Sequence, residues 1–74
     1  MTGPATDERA AAISELMGAA DLFAARALLQ ETCRDRSRPG TVLHHQYAHS
    51  ATLWRLAEQS LRTRIRELEL TSTS

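Results

Sequence analysis

The hydrophobic positions of this chain recur with the spacing of α-helices and divide it into two long segments. Ala, Leu, Glu, Gln and Arg, which all favour helices, dominate residues 6–36 and 41–70. Between them, Pro39-Gly40 is the strongest interior turn signal, and no segment alternates like a β-strand. The pattern predicts an all-α antiparallel two-helix hairpin, with helix 1 at about 6–36, a turn at 37–40 and helix 2 at about 41–70.

The ends of both predicted helices carry residues suited to capping. Thr6 can cap helix 1 and Thr41 can cap helix 2, because a threonine hydroxyl accepts a hydrogen bond from an N–H of the first turn. Outside the helices, we expect residues 1–5 to form a disordered tail and residues 71–74 to fray.

Gly18 leaves an alternative open for the first segment. It could end one helix, so that Asp21 caps a new one and the chain forms three helices, as in a helix-turn-helix. The apolar spacing continues through Gly18 without a change of phase, which favours a single unbroken helix.

One apolar stripe on each helix predicts the core of the hairpin. At about 100° per residue, the members of each stripe fall on a single face. Trp54 lies in the middle of helix 2, where a large ring buries the most area. The predicted core consists of Ile13, Leu16, Ala20, Phe23, Ala27, Leu43, Tyr47, Trp54, Leu61, Ile65 and Leu68.

Helix 1 carries a second apolar stripe roughly opposite the first. From Gly18 onwards its spacing is four, three, four and four residues, close to that of a coiled coil. A lone hairpin has no third layer to cover this stripe, and burying each large apolar side chain contributes about 1.5–3 kcal/mol. We therefore expect a homodimer in which two hairpins form a four-helix bundle. The predicted dimer interface contains Gly18, Leu22, Ala25, Leu29, Cys33, Leu53 and Leu56.

Two alternatives to the homodimer stay open. A different protein could cover the second stripe of helix 1. The stripe could also be a consequence of composition, because alanine is common on exposed helix surfaces and makes a helix look apolar on every side.

Composition limits the partners and the compartment. The 74 residues include nine basic and nine acidic side chains, so no net charge attracts nucleic acid or an anionic membrane. A single cysteine excludes an internal disulfide framework. Without an apolar run of roughly 20 residues or a signal-peptide pattern, we expect a cytoplasmic protein with no membrane partner. All basic residues are Arg, and the absence of Lys and Asn indicates a GC-rich bacterial or phage genome.

Cysteine and histidine residues near the turn are the candidate metal ligands. Cys33 lies at the end of helix 1, and His44, His45 and His49 lie in the opening turns of helix 2. His45 and His49 are four residues apart, a spacing at which one helix offers two imidazoles to zinc, copper or nickel. Because these two histidines project away from the predicted core, we favour a surface role for them and predict no bound metal or cofactor.

Two groups of arginines are candidate contacts to nucleic acid or another anion. They are Arg34, Arg36 and Arg38 near the turn, and Arg62, Arg64 and Arg66 near the end of helix 2. A four-residue spacing predicts that Arg62 pairs with Glu58, and Asp35 interrupts the first group. The chain also has few aromatic side chains on which bases could stack. Nucleic acid is therefore a possible partner but not the favoured one.

Glu58 projects almost into the apolar stripe of helix 2. A buried carboxylate there would need a basic partner, for which Arg9 or Arg26 are the candidates. At the edge of a bundle the carboxylate would simply be solvated, and we favour that second interpretation.

Signatures of catalysis are absent from the sequence. It has no glycine-rich phosphate loop, no supported pair of carboxylates and no nucleophile elbow, so we expect no enzyme activity. The favoured hypothesis is a small helical protein–protein interaction module, an adaptor, regulator or inhibitor, that acts as a homodimer. The alternatives are a small DNA-binding regulator that uses the arginine groups and a Cys/His metal-binding sensor.

Overall fold

The computed structural model describes residues 4–72 and the side chains of residues 7–71. Within them the chain forms two helices, α1 (Pro4–Arg36) and α2 (Val42–Ser72), and no strand. The helices pack against each other along their length as an antiparallel pair with extents of 57 × 16 × 11 Å. The predicted all-α hairpin is confirmed.

Both helices extend further than the sequence pattern predicts. α1 begins at Pro4 rather than at Thr6, so Pro4 and Ala5 belong to the helix and not to a tail. Proline suits this first helical position, because its fixed φ is helical and the N–H that it lacks would have no partner there. α2 continues to Ser72 instead of ending at residue 70.

Only part of each predicted tail can be compared with the structure. At the end of α2, the Thr71 hydroxyl donates to the Glu67 carbonyl at 2.8 Å, as a helical threonine does. The remaining tail residues, 1–3 and 73–74, lie outside the described part of the chain.

A tight turn joins the two helices. The Thr41 N–H donates to the Arg38 carbonyl at 3.3 Å, with Pro39 and Gly40 as the central pair. Gly40 has φ +85°, which residues with a side chain rarely adopt. Proline at the first central position and a positive φ at the second define a type II turn. The Pro39-Gly40 signal therefore encodes the reversal of the chain.

Side-chain hydrogen bonds mark the helix ends on each side of this turn. The Ser37 hydroxyl donates to the Cys33 carbonyl at 2.8 Å at the end of α1. The Thr41 hydroxyl accepts from the His44 N–H at 3.2 Å and donates to the Arg38 carbonyl at 2.7 Å. Thr41 therefore caps α2, as the sequence predicts.

Gly18 does not interrupt α1. The helix runs through it, so the three-helix alternative with Asp21 as a second cap is wrong. A Cβ built on Gly18 would meet no atom within 4 Å, so no close approach within this chain requires a glycine there. A glycine in the middle of a helix lowers its stability by about 1 kcal/mol relative to alanine, and the neighbouring turns tolerate this cost.

Small residues bring the two helices together. The buried hydrophobic residues of the described chain are Ala20, Ala27, Ala51 and Ile65, and no large side chain is fully buried. Beside them, the rings of Phe23 and Trp54 meet edge to face, with centroids 5.3 Å apart and planes at 62°. The core is therefore a thin line of contact between two helices.

The predicted core residues divide into three groups by exposure. Ala20, Ala27 and Ile65 are buried, whereas Ile13, Leu16, Phe23, Tyr47, Trp54, Leu61 and Leu68 are partly buried. Leu43 is 53% exposed and does not belong to the core. It lies about 80° around α2 from the buried Ala51, in the first turn of α2, where only the last residues of α1 lie beside it.

Candidate interaction surfaces

An ion pair with two hydrogen bonds links the two helices. Arg55 of α2 donates from Nε to Oε2 of Glu31 at 2.9 Å and from Nη2 to Oε1 at 2.8 Å. This parallel arrangement matches the planar guanidinium to both carboxylate oxygens, which makes it strongly directional. It fixes the height at which α2 lies beside α1.

Glu58 extends this pair into a chain of alternating charges. Its Oε1 accepts from Arg55 Nη1 at 3.0 Å and its Oε2 accepts from Arg62 Nε at 2.9 Å. Arg62 also reaches back to Asp21 of α1, with Nη2 and Oδ1 3.2 Å apart. We call the sequence Glu31, Arg55, Glu58, Arg62 and Asp21 the charged ladder. It crosses between the helices at both of its ends.

The charged ladder corrects the expectation for Glu58. Its side chain is only 14% exposed, and its carboxylate binds two arginines rather than water alone. Neither Arg9 nor Arg26 is among these partners. The predicted pair with Arg62 is confirmed. Sequence reasoning missed Arg55, although its three-residue spacing from Glu58 is another helical ion-pair signal.

The charges of the ladder shift one another's proton affinities. Hydrogen bonds from Arg62 and Arg55 lower the pKa of Glu58 below its usual value of 4.5. The hydrogen bonds from Arg55 likewise lower the pKa of Glu31. In return, the pKa values of Arg55 and Arg62 are raised. Glu31, Arg55, Glu58 and Arg62 therefore stay charged at neutral pH.

The two broad faces of the hairpin differ in chemistry. The charged ladder lies along one of them, which we call the charged face. The Phe23–Trp54 contact lies on the opposite broad face of the hairpin. We call this second face the uncharged face. At about 100° per residue, a set of uncharged residues shares the direction of Phe23 and Trp54. It consists of Ala12, Ala19, Phe23, Gln30, Leu43, Ser50, Trp54, Ala57, Leu61 and Leu68.

Large apolar side chains also project from the outer edge of α1, which we define as its side away from α2. Leu22 is 57% exposed and Leu29 is 52% exposed, and both point away from the buried Ala20 and Ala27. The other predicted interface residues of α1 are Gly18 and Ala25, which are exposed, and Cys33, which is partly buried.

The predicted interface residues of α2 lie on the other edge of the hairpin. Leu53 and Leu56 are 53% and 54% exposed and point away from the buried Ala51, on the far side of α2 from α1. A helix packed along the outer edge of α1 covers Leu22 and Leu29 and leaves Leu56 open. The set predicted as one surface therefore occupies two.

The candidate metal ligands do not form a cluster. His44 Nδ1 lies 3.4 Å from the Ser37 carbonyl, whereas His45 and His49 are exposed on other parts of α2. Cys33 is a free thiol beside the end of α1. No group of three or more His, Cys, Asp or Glu within residues 4–72 is placed to hold a metal ion.

Acidic neighbours bind several of the candidate anion-binding arginines. Arg62 belongs to the charged ladder, Arg64 pairs with Glu67 at 3.2 Å, and Arg34 pairs with Asp35 at 2.9 Å. The remaining candidates are Arg36 and Arg38, which are exposed, and Arg66, which donates to the Thr63 hydroxyl.

A shallow depression of about 540 Å³ lies over the charged ladder on α2. Its lining residues are Arg55, Glu58, Gln59, Arg62, Thr63 and Arg66. They all belong to a single helix, and Glu58 offsets the arginine charge, so the depression is an open gap between side chains.

Comparisons with known proteins give no indication of function, so a functional hypothesis depends on the fold and on the surfaces described above. None of the protein-family models, curated proteins or solved structures matches this chain. Neither described helix combines the length and apolar content that crossing a bilayer requires.

Proposed function

We propose that this protein is a small helical protein–protein interaction module that acts as a homodimer. The observation that carries the proposal is the incomplete burial of the hairpin. Within the described residues, nine large hydrophobic side chains are exposed and no large side chain is fully buried. Large exposed apolar patches on a soluble protein mark surfaces that a partner covers, and Leu22 and Leu29 form such a patch on the outer edge of α1.

The surface area of the chain supports the same proposal. The solvent-accessible surface is 5532 Å². A compact monomer of this mass exposes roughly 4500 Å² by the usual scaling of area with mass. The surplus of about 1000 Å² resembles the roughly 800 Å² that each partner buries in a standard protein interface. One interface would thus bring the chain close to the burial of an ordinary globular protein.

Charged substitutions on the outer edge of α1 test the proposal. An aspartate at a position buried between two copies would have no basic partner and would oppose association. We expect Leu22→Asp and Leu29→Asp to give monomers or unfolded chains, measured by light scattering together with circular dichroism. A fully folded dimer in both variants would contradict the proposed use of this edge.

Leu56→Asp is the matched control for these variants. Leu56 is as exposed as Leu29 and also lies within a helix, but it belongs to the opposite edge of the hairpin. We expect Leu56→Asp to remain a folded dimer. Equal loss of the dimer in all three variants would show that the effect does not depend on the outer edge of α1.

A further inference from the structure

Two sets of residues with a seven-residue spacing lie side by side on α1. The first is Glu8, Glu15, Leu22 and Leu29, and the second is Ala12, Ala19, Arg26 and Cys33. Together they form a strip along the border between the outer edge of α1 and the uncharged face, which shares residues with both and which we call the α1 seam. A seven-residue repeat is the pattern by which one helix follows another over several turns.

We propose that the α1 seam binds the α1 seam of a second copy in the antiparallel direction, with Glu15 of each copy opposite Arg26 of the other. This inference rests on the proposed homodimer and specifies its orientation and register. The same register places Leu22 opposite Ala19 and Leu29 opposite Ala12 of the second copy. A two-fold axis between the copies generates each contact twice.

Charge complementarity supports the antiparallel direction. Glu15 and Arg26 are both exposed, and neither forms an ion pair with a described residue of its own chain. Antiparallel pairing brings them together as two ion pairs for each dimer. Parallel pairing would instead place each residue beside its own copy, with Glu15 against Glu15 and Arg26 against Arg26. Such like-charge contacts oppose association.

Side-chain size supports the same register. Leu22 and Leu29 are the large residues of the α1 seam, and each would face an alanine of the second copy. Alternation of large and small residues across an interface allows helices to interdigitate closely without voids. Ala12 and Ala19 are partly exposed in the hairpin, so this contact surface is accessible to a second copy.

A second antiparallel register is conceivable, and it differs from the proposed one in whether the uncharged face becomes covered. Pairing through the side of α1 directly opposite α2 would set Leu22 against Ala25 and Leu29 against Gly18 of the second copy. That arrangement makes a flat layer, leaves the uncharged face open and places Glu15 against Thr32. The α1 seam adjoins the uncharged face, so the proposed pairing turns this face towards the second hairpin and encloses Trp54 in a bundle.

Introduced cysteines test the register directly. In a Cys33→Ser background, Glu15→Cys combined with Arg26→Cys brings position 15 of each copy beside position 26 of the other in the proposed register, and the single variant below excludes cross-links from parallel pairing. Within one chain the two positions are about 16 Å apart along the helix, beyond the roughly 7 Å between Cα atoms that a disulfide spans. We expect mild oxidation at micromolar protein to give mostly disulfide-linked dimer on a non-reducing gel.

Two matched variants identify the competing arrangements. Glu15→Cys alone in the same background should give no cross-link, because its two thiols would lie about 16 Å apart in the proposed dimer. Efficient cross-linking of this single variant would demonstrate parallel pairing and overturn the proposal. Preferential cross-linking of Glu15→Cys with Thr32→Cys would demonstrate the flat register and overturn it as well.

Light scattering of the same samples under reducing conditions shows whether the proposed register fails alone or together with the proposed homodimer. A dimer whose Glu15→Cys/Arg26→Cys variant does not cross-link would overturn the register and leave the proposed function in place. A monomer would overturn both.

Charge exchange gives an independent readout. Glu15→Arg turns two attractive contacts into two repulsive ones, and we expect it to weaken dimerisation about tenfold. Combining it with Arg26→Glu restores opposite charges and should return the dissociation constant to within about twofold of the original. Arg38→Glu, an exposed reversal in the turn, is the control and should have little effect. Failure of the combined variant to recover would contradict the predicted contact.

Discussion

The charged face and the uncharged face of the hairpin satisfy their side chains in different ways. On the charged face, the ladder from Glu31 to Asp21 is complete within one chain, and both oxygens of Glu58 have arginine partners. On the uncharged face, Trp54 and Phe23 contact each other, but no further layer of this chain covers them. The comparison shows that one chain suffices to set the register of its helices but not to bury its apolar surface.

The largest effect should come from removing the central ring of the uncharged face. Trp54→Ala deletes the contact with Phe23 and leaves a gap between the helices. We expect it to lower the free energy of unfolding by about 3 kcal/mol, measured by circular dichroism in denaturant at fixed protein concentration. Trp54→Phe keeps an aromatic ring and should lose less than half of that amount. A loss below about 1 kcal/mol for the alanine variant would contradict a structural role for this face.

A smaller effect should follow from opening the charged ladder. Glu31→Gln removes the carboxylate that binds Arg55 through two hydrogen bonds between the helices. We expect a lower melting temperature, with a change smaller than that of Trp54→Ala. Glu67→Gln is the matched control, because Glu67 forms only an exposed pair with Arg64 of the same helix. Equal melting temperatures for the two variants would show that the ladder does not stabilise the hairpin.

The smallest expected effect is the decrease in melting temperature on acidification, which acts on the charged face. The pKa values of Glu31 and Glu58 lie below their usual value of 4.5 in the folded chain. Their ion pairs therefore contribute stability above about pH 4.5, which is lost as pH falls through the lowered values. We expect the melting temperature to decrease with acidification below pH 4.5, and to decrease less in Glu31→Gln. An identical acid response in the two proteins would rule out a contribution of Glu31 to this decrease.

Local sequence signals predict the helices and the turn well. Pro39 and Gly40 specify the reversal of the chain, and Thr41 specifies the start of α2. These features depend on residues close together in the sequence, where backbone preferences decide the outcome. The boundaries are less predictable, because helix ends are fixed by only a few hydrogen bonds and shift easily by one or two residues, as at Pro4 and Ser72.

Contacts between the helices are harder to predict than the helices themselves. The spacing of Glu58 and Arg62 within α2 is sufficient to predict their ion pair, whereas the pair of Arg55 with Glu31 depends on the position of α2 along α1. Of the partners considered for Glu58, Arg9 lies about three turns from Asp21, which marks the height of the ladder on α1. Arg26 points away from the charged face. A shift of a few residues between the helices changes every such pairing.

The mass of the purified chain in solution tests the central claim most directly. Sedimentation equilibrium at micromolar concentrations measures it without a tag, a label or a substitution. The account predicts a homogeneous folded particle of about 16 kDa, twice the 8.2 kDa of one chain. A compact, folded particle of 8.2 kDa at these concentrations would contradict it.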